Sequence, residues 1–252
     1  MNELKYSWGF PPDFSTHGAA IDHLIGIVHW FMLALFVGWG IFFVYCLIRF
    51  RQRPGHTASY DSSHSKLPKV IEAAVVIFEI FLLVGMAIPV WSKVKNELPP
   101  ANEAMTVRIV GQQFVWNIQY PGKDNQFGRL DPTLISDSSP LGLDPSDPAG
   151  RDDIIAINQL HFPVNQPVIV HLSSKDVIHG FNIPVLRIKQ DAVPGMTIPV
   201  WFQSTQIGQF EIACAQLCGV GHAMMRGYVT VESRQDFDTW MASQSPAAGG
   251  GI

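Results

Sequence analysis

Cysteine is scarce in this 252-residue chain, and that scarcity narrows the chemistry the protein can perform. There are three cysteines, and none belongs to a C-x-x-C-H motif, so the chain carries no covalent haem of its own. No nucleophile stands beside a base in a pattern typical of covalent catalysis. His161 and His171 lie in strand-like contexts that favour ordinary packing. We therefore expect no organic reaction centre in this chain and no nucleic-acid partner.

Formal charge is missing from Leu24 to Ile48, a run in which His29 is the one histidine. About 20 apolar residues cross a bilayer core as a helix, so this run predicts a transmembrane helix over 24–48. A second apolar run predicts a helix over 70–91, although it contains Glu72 and Glu79. Ionisable groups at membrane depth are costly, and they usually face a protein partner or a water-filled path.

The basic residues predict how these helices are oriented. The loop between the two runs holds five lysines and arginines and one acidic residue. In the first 23 residues, Lys5 is the one lysine or arginine. Lysine and arginine stay on the cytoplasmic side. The connection is therefore predicted to be cytoplasmic, and both termini external. No secretory signal is recognisable ahead of the first run.

The composition changes after the second apolar run and predicts the domain organisation. Residues 1–96 are predicted to form an N-terminal segment and a transmembrane helical hairpin. Residues 97–240 contain no further long apolar run and have the size of one external domain. The last segment, 241–252, offers nothing to pack and is predicted to be a disordered tail.

The external domain has the pattern of an all-β fold. Apolar and polar residues alternate along short runs separated by turn residues, which indicates half-buried strands and a small sandwich of antiparallel strands. The runs lie at 105–120, 167–172, 196–202, 209–214 and 227–232. Segment 121–153 is rich in Asp, Pro, Gly and Ser and contains no recognisable element, which predicts a long loop of the kind that is often functional.

Two of the cysteines lie in CAQLCGVGHAMM, residues 214–225, together with a histidine and two methionines. Cys46 lies inside the first predicted helix, where we expect a small buried apolar side chain. Cys214 and Cys218, taken alone, are compatible with a disulfide, since an external compartment permits one.

The surrounding histidines and methionines favour a metal instead. His222 follows Cys218 at the spacing that separates the cysteines, Met225 comes three residues later, and His179 lies upstream in DVIHGF. Two thiolates and two imidazoles can close a tetrahedral zinc site, but such a site has no use for a thioether. Thiolate, imidazole and a weak axial methionine are the ligands of electron-transfer copper. Two cysteines supply enough ligands for two copper ions bridged by both sulfurs.

The motif Cys214-x3-Cys218-x3-His222-x2-Met225, with His179 35 residues before it, resembles the binuclear copper A signature of cytochrome c oxidase subunit II. The stretches DVIHGFNIPVLRIKQDAVPG and GQQFVWNIQY and the two-helix anchor also resemble that family. The resemblance implies a cupredoxin-like Greek-key sandwich. It also implies a subunit of a respiratory oxidoreductase and translocase, which takes electrons from cytochrome c and passes them to the haem of subunit I. Oxygen is reduced to water in that partner subunit, coupled to proton translocation.

The resemblance further implies a role for each ligand. The implied copper ligands are His179, Cys214, Gln216, Cys218, His222 and Met225. The two thiolates would bridge the copper ions and each imidazole would bind one of them. The thioether and the backbone carbonyl of the glutamine would be weak ligands. The adjacent Met224 is the alternative thioether, but the offset from Cys218 favours Met225.

Several positions depart from the family's usual pattern. Gln216 replaces a glutamate that helps to hold a magnesium ion at the boundary with subunit I, so this contact is left open. Phe114 replaces the tryptophan at which electrons enter, and Phe114 and Trp116 are the candidates for electron transfer. Glu72 matches a helix glutamate near the proton-uptake path and is the candidate for proton entry. Glu79 stands where proline is usual and is predicted to lie at a subunit interface.

The implied partners are oxidase subunits I and III, membrane lipid, and either cytochrome c or a cytochrome c-like domain of another subunit. The acidic residues of 121–153 are predicted to attract a basic cytochrome, and a merely solvated loop remains the alternative. The implied location is the bacterial inner membrane, with the copper domain on the external side.

Three other classes of protein share parts of this pattern. An electron-input subunit of a nitric oxide reductase with the same copper site is the alternative function. A copper-delivery protein of the Sco type also has Cys-x3-Cys, but there the histidine follows the cysteines. A membrane-anchored binding module with a structural zinc ion or a disulfide would hold no copper.

Overall fold

The computed structural model describes residues 10–55, 57, 60, 65–136 and 138–247. They form two compact units. One spans Ala20–Lys93; the other begins at Val94 and includes the described residues before Ala20. The first is helical and the second is mainly β.

The helical unit is built on the two apolar runs. Helix α1 is Gly18–Arg49, and helix α2 is Leu67–Ile80. α2 continues through a π-helical segment, Phe81–Ala87, into α3, Ile88–Asn96. By length and composition, α1 and the continuous helical stretch Leu67–Asn96 can each cross a membrane. Both are longer than the predicted 24–48 and 70–91, because helical backbone continues beyond the apolar run into its polar flanks.

The N-terminal segment differs from the prediction, which grouped residues 1–96 with the helices. The Phe14 N–H donates to the carbonyl of Val185 (2.8 Å), and the Phe14 carbonyl accepts from the Thr205 N–H (2.8 Å). A side-chain nitrogen of Arg187 donates to the Pro11 carbonyl at 2.8 Å. These main-chain contacts attach the described part of the segment to the β unit.

Within the described residues, ten strands, numbered in chain order, form two five-stranded sheets. The first sheet has the order β3-β2-β1-β5-β8, with β1 Met105–Gln112, β2 Val115–Tyr120, β3 Ile154–Ile157, β5 Val168–Ser174 and β8 Ile198–Phe202. The second has the order β4-β10-β9-β6-β7, with β4 Gln159–Pro163, β6 His179–Ile183, β7 Ile188–Ala192, β9 Gly208–Cys214 and β10 Arg226–Glu232.

The core between the sheets consists of large, fully buried side chains. They include Trp116, Tyr120, Phe162, Phe181 and Phe202. In the part of the chain that the structure describes, two apolar helical stretches and a β-sandwich confirm the predicted fold class. The prediction of antiparallel strands is wrong for two pairs, β1 with β5 and β4 with β10, which run parallel. Parallel neighbours need a long connection, and the chain supplies one because it crosses between the sheets before returning.

The last helix in the described residues is α4, Arg234–Ser243. Its N-cap residue, Ser233, accepts a hydrogen bond from the Asp236 N–H. The helix passes the predicted boundary at 240, because Met241 packs against the core. The Ala247 N–H then donates to the Asp153 carbonyl at 2.7 Å. The predicted disordered tail, 241–252, is therefore ordered as far as residue 247. Residues 248–252 lie outside the described residues.

Candidate metal centre

Strand pairing in the second sheet brings the cysteine motif to the upstream histidine. His179 is the first residue of β6 and Cys214 is the last residue of β9. These two strands are antiparallel neighbours, with Phe181 opposite Cys214. The loop after β9 then returns through a 3-10 turn, His222–Met224, into β10. Residues 35 positions apart in sequence therefore meet at one end of one sheet.

His179, Cys214 and Cys218 form a group whose donor atoms all lie within 4.8 Å of one another. The two sulfur atoms are 3.7 Å apart, and both cysteines are free. Cys218 is buried and Cys214 is partly buried. Two sulfur ligands and one imidazole at this separation can hold a soft metal ion.

The other predicted ligands border the same group. His222 Nδ1 lies 3.6 Å from the Cys218 sulfur, and Met225 Sδ lies 3.8 Å from it. The carbonyl oxygen of Gln216 lies 3.2 Å from the Cys214 sulfur. Met225 is buried, whereas Met224 is 77% exposed. The structure thus brings all six predicted ligands together. It also distinguishes the two methionines, because Met225 is buried beside the Cys218 sulfur and Met224 is exposed.

The ring of His179 is oriented by a carboxylate. Its Nε2 donates to Asp176 Oδ1 at 2.8 Å, which leaves Nδ1 as the acceptor nitrogen of the neutral ring. Nδ1 is buried and has no hydrogen-bond partner. A carboxylate partner on the far nitrogen is the usual second contact of a metal-binding histidine. Gly111 leaves room for the ring, since an added Cβ there would lie 2.8 Å from His179 Cδ2.

The electrostatic surroundings of the buried Cys218 thiol and of the more exposed Asp176 carboxyl differ. Burial, together with the neighbouring Cys214, raises the pKa of the Cys218 thiol to about 11. Burial opposes ionisation of Asp176, yet hydrogen bonds from the Gln113 N–H and His179 bring the pKa of its carboxyl below the usual value. The thiol is therefore protonated at neutral pH, and a metal ion that binds it must displace a proton.

The two predicted electron-transfer residues occupy different depths. Trp116 is fully buried, with its ring centroid 5.9 Å from that of His179. Phe114 is partly exposed and packs over the cysteine loop, because an added Cβ at Gly221 would lie 2.4 Å from Phe114 Cδ2. Phe114 can meet another protein; Trp116 lies beneath the site.

Exposed apolar side chains belong to the same loops as the ligands. They are Ile178, Leu217, Val220 and Met224, here called the apolar rim. Isolated exposed apolar residues are common, but several on the loops of one site mark a surface suited to protein contact.

The acids of loop 121–153 are not equivalent. Hydrogen bonds from Ser146 and Arg129 lower the pKa of Asp144 to about 2. Asp153, by contrast, is fully buried, and its Oδ2 accepts from Gln119 Nε2 (2.5 Å) and the Gly128 N–H (2.9 Å). The hydrogen bonds of Asp153 therefore attach the loop to the first sheet, and this buried carboxylate cannot attract a cytochrome at the surface. Asp137 lies outside the described residues.

The remaining residues singled out in the sequence lie outside the metal centre. Cys46, predicted to be a small buried side chain, is partly exposed on α1. Glu72 and Glu79 are exposed on α2. His161 Nδ1 is 3.0 Å from Glu232, and its ring stacks on Trp240 at a centroid distance of 4.0 Å, which is a packing role. Two site residues escaped sequence reasoning, Gln113 and Asp176. The carboxylate three positions before His179 was the signal available for Asp176.

The chain is similar in sequence and in structure to known proteins. The model of the family described as cytochrome c oxidase subunit II, periplasmic domain, matches residues 105–233. The chain is 35% identical over 243 residues to the alternative cytochrome c oxidase subunit 2 of Bradyrhizobium diazoefficiens, covering 96% of this chain and 86% of that protein. It is 29% identical over 251 residues to the cytochrome c oxidase subunit 2 of Cereibacter sphaeroides, covering 92% and 78% respectively. Among solved structures, the periplasmic domain of subunit II of cytochrome oxidase (CoxB) of Bradyrhizobium japonicum is similar at 28% identity. That comparison has a TM-score of 0.43 and covers 58% of this chain and 96% of the other.

Proposed function

The chain belongs to the cytochrome c oxidase subunit II family, and from this premise we propose that it is the electron-entry subunit of a respiratory haem-copper oxidase. Its β unit receives electrons from cytochrome c and delivers them to the haem of subunit I. The observation that carries the proposal is the pair of free thiols 3.7 Å apart beside a buried imidazole nitrogen that lacks a partner.

The donor set fits a pair of copper ions better than zinc. When bound, such a pair supplies a centre that gains and loses one electron over two metals and two sulfurs. Cys214 and Cys218 would hold both ions, and His179 and His222 would hold one each. Met225 and the carbonyl of Gln216 would be the weak ligands. A buried thioether 3.8 Å from a thiol supports this reading, because zinc sites close without one.

The scaffold also suits electron transfer. Cys214 and His179 end or begin paired strands, so their backbone positions are held by the sheet. The carboxylate of Asp176 holds the tautomer of the histidine in place. Ligands that move little between oxidation states keep the reorganisation on electron transfer small.

Electrons enter, in this proposal, through Phe114 and reach the ligands over a short distance. The ring lies at the surface on the cysteine loop, and the apolar rim beside it supplies a contact surface for the cytochrome. Trp116 adjoins His179 in the core, where it can assist transfer inside the domain but not contact the donor.

The proposal extends to the membrane and to the other subunits of the oxidase. We place the chain in a bacterial inner membrane, with α1 and the stretch Leu67–Asn96 spanning it and the copper domain outside. Subunit I, and subunit III with it, would contact the helices, and Glu72 would admit protons from the inner side. Gln216 has an exposed side chain, and it lacks the carboxylate that a bound magnesium ion prefers.

The test is electron transfer by the full chain. The detergent-solubilised, copper-loaded chain is mixed with reduced cytochrome c, and oxidation of the cytochrome is followed by absorbance. We expect rapid oxidation by the native chain and none by Cys218→Ser, with Cys46→Ser as the control in α1. A native chain that holds copper but does not oxidise the cytochrome would contradict the proposal.

A further inference from the structure

Gln113 joins the turn between β1 and β2 to the metal-binding segments. Its side-chain Nε2 donates to the carbonyl of Cys218 at 2.6 Å. Its backbone N–H donates to Asp176 Oδ2 at 2.8 Å, and the other oxygen of that carboxylate accepts from His179 Nε2, also at 2.8 Å. Gln113 is thus bonded to the backbone of the predicted ligand Cys218 directly, and to the imidazole of His179 through the carboxylate of Asp176.

The shapes of the turn and the cysteine loop match at this point. Gly219 has φ +134°, a conformation that residues with side chains rarely adopt, and an added Cβ there would lie 2.7 Å from Gln113 Nε2. Gly221 has no room for a Cβ beneath the ring of Phe114. The loop therefore reaches its bonded position only by fitting closely against Gln113 and Phe114.

The loop has few other attachments near Cys218. The described main-chain bonds of this segment join its two ends, from the Cys214 N–H to the Met225 carbonyl (3.3 Å), or attach its start, from the Ala215 N–H to the Gly180 carbonyl (2.8 Å). The others lie within the loop, from the N–H groups of His222, Met224 and Met225 to the carbonyls of Gly219, Gly221 and His222. The carboxamide of Gln113 is thus the contact that fixes the main chain of Cys218 against the rest of the domain.

We propose that Gln113 is a positioning residue for the metal centre, holding Cys218 directly and His179 through Asp176 in the geometry that retains the metal. This inference rests on the proposed function in one respect, that the metal is copper. It also means that the turn carrying Phe114 is hydrogen-bonded to both sides of the ligand set. Removing the carboxamide leaves the loop free to move, so the ligands must be ordered again each time the metal binds.

The test is copper retention by the full chain in detergent. Gln113→Leu removes the donor while keeping a side chain of similar size. The matched control is Gln166→Leu, because Gln166 Nε2 donates to the Glu103 carbonyl at the same 2.6 Å. Gln166 precedes β5, whose seven residues place it roughly 20 Å from the strand end that leads to the site.

We expect the dissociation constant for copper, measured by competition with a chelator, to rise at least about tenfold in Gln113→Leu, the usual cost of losing an outer-shell partner. The electron paramagnetic resonance spectrum of the loaded variant should also change. Both quantities should match the native chain in Gln166→Leu. Equal affinity and an unchanged spectrum in Gln113→Leu, or equal losses in both variants, would overturn the proposal.

A second variant decides the matter if Gln113→Leu does not fold. Gln113→Glu keeps the length and polarity of an exposed side chain, but an ionised carboxylate cannot donate to the Cys218 carbonyl. We expect the same loss of copper affinity at neutral pH, and native affinity in this variant would overturn the proposal. A native chain that binds no copper would refute the proposed function itself, before any variant is compared.

Discussion

Met224 and Met225 are adjacent methionines with opposite surroundings, and they offer a matched pair of variants. The thioether of Met225 is buried 3.8 Å from the Cys218 sulfur, whereas Met224 is exposed in the apolar rim. We predict that Met225→Leu changes the absorption and magnetic resonance spectra of the copper-loaded chain. Leucine conserves the volume, so the cost in stability should stay below about 1.5 kcal/mol.

Met224→Leu is the control, and it should leave the spectra of the loaded chain unchanged. Spectral changes in Met224→Leu with none in Met225→Leu would show that the weak ligand has been assigned to the wrong residue.

At the residue scale, the sequence predicts which side chains meet but not what orients them. The spacing of Cys214, Cys218, His222 and Met225 is local, so a turn after a strand brings them together. Gln113 reaches Cys218 across 105 positions, and no periodicity relates the two. Such contacts depend on which strands pair, and for that reason they became visible only in the structure.

Loop 121–153 is attached to the first sheet through the carboxylate of Asp153, which accepts hydrogen bonds from Gln119 of β2 and from the Gly128 N–H. Burial raises the pKa of this carboxyl above its ordinary value of 3.8. The folded protein therefore holds this proton more tightly than the unfolded chain does. Its contribution to stability is fully present below pH 3.8 and is lost as the pH rises through the folded-state pKa.

Asp153→Asn removes this charge and keeps an oxygen that can accept from Gln119 or from the Gly128 N–H. We predict that the melting temperature of the metal-free native chain, relative to that of the variant, falls as the pH is raised from about 4 to 7. Circular dichroism of both proteins across this range tests it. A difference that is constant, or that grows with pH, would refute the buried-carboxyl account.

Helix α4 packs against the core through the buried Phe237 and the partly buried Trp240 and Met241. Trp240 stacks on His161 with an interplanar angle of 5°, and its ring lies 5.2 Å from that of Tyr120. Trp240→Ala should lower the free energy of unfolding by about 2 kcal/mol, less than a fully buried tryptophan costs, because this ring is only partly buried. Denaturant titration measures it, with exposed Thr239→Ala as the control. Equal effects of the two variants would mean that the stack does not hold the helix.

At the element scale, the sequence predicted the strands that show a strong alternating pattern and missed those that do not. β1, β2, β5, β8, β9 and β10 coincide with alternating apolar and polar runs. β6 contains Gly180 and β7 contains Lys189 and Asp191, so neither shows a clean alternation. β3 is four residues long and is separated from β4 only by Asn158, which has a positive φ of 60°. These strands are held by their neighbours rather than by their own pattern.

At the scale of the whole molecule, the acidic charge of the region after the helices affects the rate of association with the electron donor. From Glu97 onward there are 15 acidic and nine basic residues. Side-chain and backbone hydrogen bonds from Thr133 lower the pKa of Asp131, and Asp144 is likewise ionised at neutral pH. An acidic surface accelerates the approach of a basic protein, and salt screens this attraction over about 8 to 10 Å.

We therefore predict that the second-order rate of electron uptake from a basic cytochrome c falls as ionic strength is raised. Stopped-flow mixing at several salt concentrations measures this rate. A rate that does not change with salt would assign docking to the apolar rim alone and would show that the acidic loop is merely solvated.

The proposed electron-entry role depends on the metal that the chain holds. The most direct measurement is a copper count together with an electron paramagnetic resonance spectrum of the full-length, copper-loaded chain in detergent. We predict close to two copper ions per chain and a hyperfine pattern from one unpaired electron shared between two copper nuclei. One copper ion with a single-nucleus pattern, or zinc in its place, would mean that Cys214 and Cys218 do not bridge a metal pair, and the electron-entry account would be wrong.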